Sequence, residues 1–239
     1  PKLVRTPEGF RAIVAALVDG KGKLLAFESK DLLTWCYKGV FWEGLSQMLE
    51  CPDVFELNGL PMVMVSVIGS PDLGSKFRQE RPALLIQGKN TQIPFLPEKV
   101  SILDDGVDFY APQTMLAPDG RRLMIGWFQN WMHEYMPTDY LGHDWNGCMT
   151  LPRELTWKEG KLLQRPVREI EALRTRKQEV KCSVEENDTV LLSTKDTAEI
   201  LIELSEITVQ KITMELMKTE KNRVLLCYEL QKQLLYLDT

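Results

Sequence analysis

The apolar positions of this chain come in short runs with strand-like alternation, and helical spacing is nearly absent. RAIVAALV (11–18) and KLLAFES (23–29) flank Asp19-Gly20-Lys21-Gly22, which predicts two strands joined by a tight turn. Ser29-Lys30-Asp31-Leu32-Leu33-Thr34-Trp35 reads as a turn into a further strand, Trp35 to Val40. Residues 43–49 read as a loop, after which Met48-Leu49-Glu50-Cys51-Pro52-Asp53-Val54-Phe55-Glu56-Leu57 begins an apolar strand answered by PMVMVSVIG. Residues 69–81 open on Gly69-Ser70-Pro71-Asp72 and read as a surface loop, and 129–146 as a long polar and aromatic rim loop. The exception to the strand pattern is Pro166–Arg174, where Val167, Ile170 and Leu173 recur at helical spacing; this predicts a short linker helix at 165–175. Beyond it, TVLLST, AEILIEL, ITVQKITMEL, RVLLCYEL and QLLYLD predict a second β region, a partial sandwich over 176–239.

Four segments share one layout. Pro1, Pro52, Pro112 and Pro152 each open a short strand, a glycine follows seven or eight residues later (Gly9, Gly59, Gly120, Gly160), and a second strand comes next. The units recur about every 40 to 60 residues, the period of a β-propeller blade. The expectation is an all-β chain: an incomplete five-bladed propeller over 1–164, contributing blades two to five, followed by the linker helix and the partial sandwich. Proline at the head of a channel-lining strand is tolerated because its missing N–H falls outside the ladder.

Composition narrows the functional classes. The 239 residues are 44% hydrophobic with a net charge of −5, which supports a sizeable core and disfavours a nucleic-acid binder. No apolar run of membrane-spanning length occurs, so no membrane partner is expected. The five cysteines lack metal-binding spacing and suggest a reduced, cytoplasmic protein. With only His133 and His143, neither a histidine triad nor a metal site is indicated; no cofactor is called for, and the chemistry falls to carboxylates. Glu50 is the leading candidate, because a carboxyl at the head of an apolar strand can be partly desolvated while facing a cavity, the setting of a general acid.

Several motifs, in order, resemble glycoside hydrolase family 32, the β-fructofuranosidases. They are Glu50-Cys51-Pro52-Asp53, Asp108-Phe109-Tyr110-Ala111-Pro112-Gln113, Ile125-Gly126-Trp127-Phe128-Gln129-Asn130 and Met149-Thr150-Leu151-Pro152-Arg153-Glu154-Leu155. The resemblance covers nearly all of 1–174. It implies a retaining glycosidase that releases terminal β-fructofuranosyl units from sucrose, sucrose 6-phosphate or fructans, with Glu50 as acid/base. It implies substrate contacts at Cys51, Asp108, Tyr110 and Trp127. Cys51 reads as a small group against the pocket wall rather than a nucleophile. Trp127 suits either the apolar face of a furanose or the packing between blades, and Tyr110 either a hydrogen bond near Glu50 or packing at the rim.

The chain also departs from the family. Its nucleophile lies in a Trp-Met-Asn-Asp-Pro-type motif that is absent here, and Pro1-Lys2 resembles the end of the Arg-Asp-Pro motif that carries the third carboxylate. The expectation is an internal piece of a larger enzyme, lacking blade one and part of the sandwich, that does not hydrolyse sucrose by itself. Asp53, Asp104, Asp105 and Asp108 are the alternatives for nucleophile. Strand alternation turns Asp53 away from the face used by Glu50, Asp104 and Asp105 belong to a turn before Gly106, and Asp108 opens a channel strand. Trp131, His133, His143, Asp144 and Trp145 lie on the rim loop, Trp35 and Trp42 read as blade-packing residues, and Arg153 with Glu154 as a structural ion pair. Two other readings stay open: a non-catalytic carbohydrate-binding propeller and an arabinan-type furanosidase.

Overall fold

The computed structural model describes residues 1–239 except 45, 70–80, 107, 129–141, 146, 186–189, 191–196, 217–222 and 239. Two compact units are present, Pro1–Thr175 and Arg176–Thr239.

Among the described residues the first unit forms three antiparallel sheets. Strands β1 (Lys2–Thr6), β2 (Gly9–Val18), β3 (Lys21–Ser29) and β4 (Cys36–Glu43) form the first, in sequence order. Strands β5 (Met48–Leu57), β6 (Leu60–Ile68), β7 (Ala83–Gly88) and β8 (Pro97–Ile102) form the second. The third combines β9 (Phe109–Leu116), β10 (Arg122–Phe128), the two-residue β11 (Cys148–Met149), β12 (Arg153–Lys158) and β13 (Lys161–Pro166). The hairpin turns are where the glycines predict them. Asp19-Gly20 and Asn58-Gly59 both take positive φ at their two central residues, the type I′ geometry whose twist matches the flanking strands.

The sheets stack face to face, and β6 explains how. Its side chains alternate, with Val63, Val65 and Val67 joining Ile13, Leu24, Phe41 and Trp42 of the first sheet. Met62 and Met64 join Phe109, Met124 and Leu155 of the third. A strand buried on both faces has to be apolar at nearly every position, and each such side chain contributes about 1.5–3 kcal/mol. Ser66 is the one polar side chain of β6, and it is fully buried.

The expectation of four blades is corrected to three sheets among the described residues of this unit. The Pro152 segment does not open a sheet; β12 pairs antiparallel with β10, Arg122 opposite Leu155 and Met124 opposite Arg153, and so completes the third sheet. Arg153 and Glu154 also do not pair with each other. Arg153 bonds Asp104 Oδ2 and Gln164 Oε1 and lies over the Phe109 ring, while Glu154 bonds Arg121. Trp42 is in the core as expected, but Trp35 is half-buried and its indole closes its own turn by donating to Leu32 O.

The linker helix is a single 3-10 segment, Arg168–Leu173, with Val167 buried at its entry and Leu173 exposed. Arg121 holds it to the third sheet through both oxygens of Glu169. In the second unit, β14 (Lys211–Leu216), β15 (Val224–Glu229) and β16 (Leu234–Asp238) form a three-stranded antiparallel sheet. AEILIEL (198–204) is described but is not a strand, and most of TVLLST lies outside the described residues.

Candidate active site

The site is built from matching bulges in two inner strands. In β5, Glu50 pairs with Ser66 and Asp53 with Met64, so Cys51 and Pro52 together face the single residue Val65. In β9, Tyr110 pairs with Trp127 and Gln113 with Ile125, so Ala111 and Pro112 face Gly126. The first bulge residue is left-handed in each, Cys51 at φ 47° and Ala111 at φ 49°. Proline follows it in both strands. Pro52 and Pro112 therefore lie inside their strands and not at the heads, and a bulge is the other place where a missing N–H is tolerated.

The bulge reverses a second expectation. An extra residue between Glu50 and Asp53 restores their parity, because their partners Ser66 and Met64 are two apart on β6 and share a face. Glu50 and Asp53 thus project from the same face. Asp53 is still not available to a substrate: it is fully buried, 2.8 Å from Lys2 Nζ, and accepts the Thr114 N–H at 2.5 Å. Lys2 Nζ also donates to Thr114 O at 2.9 Å, so β1, β5 and β9 are tied together at this point. Gln113 Nε2 adds a bond to Cys51 O at 3.1 Å.

Above this tie, the Tyr110 hydroxyl donates to Glu50 Oε2 at 2.6 Å. Tyr110 is 2% exposed; burial, followed by its bond to Glu50, pushes the phenol well above its ordinary pKa. It remains a donor throughout the physiological range. Glu50 is half-buried. Cys51 is exposed, yet desolvation around its sulfur, followed by the charge of Glu50, raises the thiol pKa. A raised thiol is mostly uncharged at neutral pH and a poor nucleophile.

Trp127 is half-buried directly across the ladder from Tyr110, and Gly147 leaves no space for a Cβ beside its indole nitrogen. Gly126 packs as closely on Phe109, whose Cε2 would be 2.3 Å from an added Cβ. Thr150 bonds both backbone groups of Gly126: its N–H donates to Gly126 O, and its Oγ1 accepts the Gly126 N–H. Asp108 lies in the turn just before β9, two residues from Tyr110. Of the rim residues, His143, Asp144 and Trp145 are exposed and the two rings are 5.4 Å apart; Trp131 and His133 lie outside the described residues. Among the described residues no cluster of His, Cys, Asp or Glu is suited to a metal. Sequence reasoning missed Ser66, whose Oγ accepts the Ala111 N–H at 2.8 Å. The available signal was a single hydroxyl in the run PMVMVSVIG.

The order of these motifs is matched by known proteins. Residues 1–166 match the model of the glycosyl hydrolases family 32 N-terminal domain. The chain belongs to glycoside hydrolase family 32. Among curated relatives of the family, it is 36% identical over 209 residues to a sucrose-6-phosphate hydrolase of Escherichia coli, covering 85% of this chain and 43% of that protein. It is 31% identical to a sucrose-6-phosphate hydrolase of Staphylococcus xylosus, covering 96% of this chain and 47% of that protein. The chain therefore spans less than half the length of these relatives. Among solved structures, a Bombyx mori family 32 β-fructofuranosidase superposes with a TM-score of 0.66 at 30% identity, covering 74% of this chain and 38% of that one. An aspartate-to-alanine mutant of the same enzyme, solved with sucrose, superposes equally well. A Schwanniomyces occidentalis β-fructofuranosidase covers the whole chain at 18% identity, a likeness of fold. The family fold is all-β, and the sheets of the first unit are its propeller blades.

Proposed function

We propose that these residues form the acid/base side of a retaining β-fructofuranosidase acting on sucrose or its 6-phosphate. The observation that carries this reading is the 2.6 Å bond from Tyr110 to Glu50 Oε2, made between two blades at matching bulges. Such a bond fixes the carboxyl and engages one oxygen, leaving Oε1 as the atom that carries the transferable proton. In the first step Glu50 protonates the leaving glycosidic oxygen while a carboxylate about 5 to 5.5 Å away takes the fructosyl carbon; in the second, Glu50 removes a proton from the water that releases fructose. The nucleophile motif does not occur in these 239 residues, so a polypeptide of this sequence alone is expected to be inactive. Trp127 and Asp108 are proposed substrate contacts, Trp127 by its place opposite Tyr110. Cys51, exposed next to Glu50, lines the same wall. Five free cysteines, four of them exposed, favour a reducing compartment. No described helix is long and apolar enough to cross a membrane.

The complete protein with Glu50→Gln tests the assignment. The expected loss in kcat on sucrose is about 10²- to 10⁴-fold. The loss is smaller on a nitrophenyl fructoside, whose leaving group needs little protonation. Sucrose hydrolysis within tenfold of wild type would overturn the role of Glu50. Binding of sucrose without turnover by the wild-type protein would indicate a carbohydrate-binding propeller, and release of arabinose from an arabinan the arabinan-type enzyme.

A further inference from the structure

We infer that Ser66 is a positioning residue for the acid/base, acting through the backbone of the next blade; the inference rests on the reading of Glu50 as that acid/base. Ser66 lies directly opposite Glu50 in the β5–β6 ladder, so both side chains leave the sheet on one face. They reach two consecutive residues of β9. Glu50 takes the Tyr110 hydroxyl at 2.6 Å, and Ser66 Oγ takes the Ala111 N–H at 2.8 Å.

Three features make the second bond a positional control on the first. Ala111 is left-handed at φ 49° and sits in a bulge, where neither it nor Pro112 has a one-to-one partner in β10. The ladder does not set the direction of its N–H, and the hydroxyl of Ser66 does. Ser66 is itself fully buried in a strand whose preceding side chains on that face, Met62 and Met64, are locked in the core. The hydroxyl is thus a rigid point in the second sheet that fixes the peptide immediately after Tyr110 in the third. Hydrophobic packing sets the separation of the sheets only loosely along the strand, whereas a hydrogen bond of this length and direction sets it to a few tenths of an ångström. An apolar residue at 66 would pack well and lose that register.

The test uses the complete protein and four changes: Ser66→Ala, Ser66→Thr, Tyr110→Phe and the Ser66→Ala/Tyr110→Phe double variant. Ser66→Ala is expected to lower kcat on sucrose about tenfold with KM within twofold, the scale of one hydrogen bond's effect on a barrier. Ser66→Thr, which keeps the acceptor, restores most of it. In the Tyr110→Phe background the alanine change costs less than threefold, because the contact it supports is already gone. A readout independent of turnover accompanies the kinetics. Magnetic resonance of ring-labelled tyrosine shows the Tyr110 signals, identified by their loss in Tyr110→Phe, displaced in Ser66→Ala and returned toward the wild-type position in Ser66→Thr. Ser66→Cys, near-isosteric with a weaker acceptor, replaces the alanine variant if the latter does not fold. Losses that multiply in the double variant, or a folded alanine variant whose Tyr110 ring signals match wild type, would overturn the inference. A Glu50→Gln protein that keeps its activity would overturn the reading of Glu50 instead, while the Tyr110 ring signals still report on Ser66.

Discussion

Asp53 shows how a single inserted residue alters what a side chain does. Counted by strand alternation, it should face away from Glu50; the bulge at Cys51-Pro52 returns it to the same face. Its fate is then decided by neighbours from elsewhere in the chain. Lys2 and Thr114 are 51 and 61 positions away in sequence, and together they turn a candidate nucleophile into a buried inter-blade tie. Removing one partner of such a pair leaves the other charge without compensation, so Asp53→Asn is expected to destabilise the protein by about 3 kcal/mol. Urea unfolding of the complete protein should show a lower midpoint with an unchanged m-value; an unmoved midpoint would rule out this role. Glu50, Cys51, Tyr110 and Trp127 could be named from their motif order. For Tyr110 a hydrogen bond near Glu50 and packing at the rim were both open, and the choice between them depends on how two sheets stack.

At the scale of elements, the repeated prolines were legible and their position was not. Proline at the head of a strand and proline at a bulge leave the same mark in a sequence; the register of the neighbouring strand distinguishes them, and it places Pro52 and Pro112 at bulges. The linker segment makes a similar point. Helical spacing at Val167, Ile170 and Leu173 predicts a helix, but six residues held by Arg121 form only 3-10 turns. Arg121 is the main cause that lowers Glu169 from an ordinary 4.5 to about 2. A depressed carboxyl favours the fold above the unfolded pKa near 4.5, and the benefit is lost as pH falls through about 2. Glu169→Gln should therefore lower stability above about pH 4.5, modestly because the pair is exposed to solvent, and leave it little changed below about pH 2, so that the acid limb between them flattens in thermal melts across that window. An acid limb identical to wild type would show that the pair contributes nothing.

For the molecule as a whole, sequence periodicity predicts strands and hairpins well because the side-chain period of a strand and the chirality of its turns are local properties. The number of sheets is not local. The Pro152 hairpin has every mark of a new blade, and pairing with β10 makes it the outer half of an existing one. The boundary between the two units falls at Thr175/Arg176, in a stretch where the described residues from Arg174 to Glu185 are exposed and outside regular structure. Arg174, Arg176, Lys177 and Lys181 should accordingly be among the first sites cut by trypsin under native conditions. Mass spectrometry of the early fragments checks this, and first cuts at Arg11 in β2 or Arg122 in β10 would contradict the described packing. By itself the sequence determined the all-β class, the hairpins and the family, and it singled out Glu50 as the candidate acid/base, because each is carried by residues close together in the chain. Tertiary structure alone decided the three-sheet count, the burial of Asp53 against Lys2, and the grip of Ser66 and Glu50 on the next blade. Those depend on strand register and sheet stacking, which are set by contacts between residues far apart in the chain.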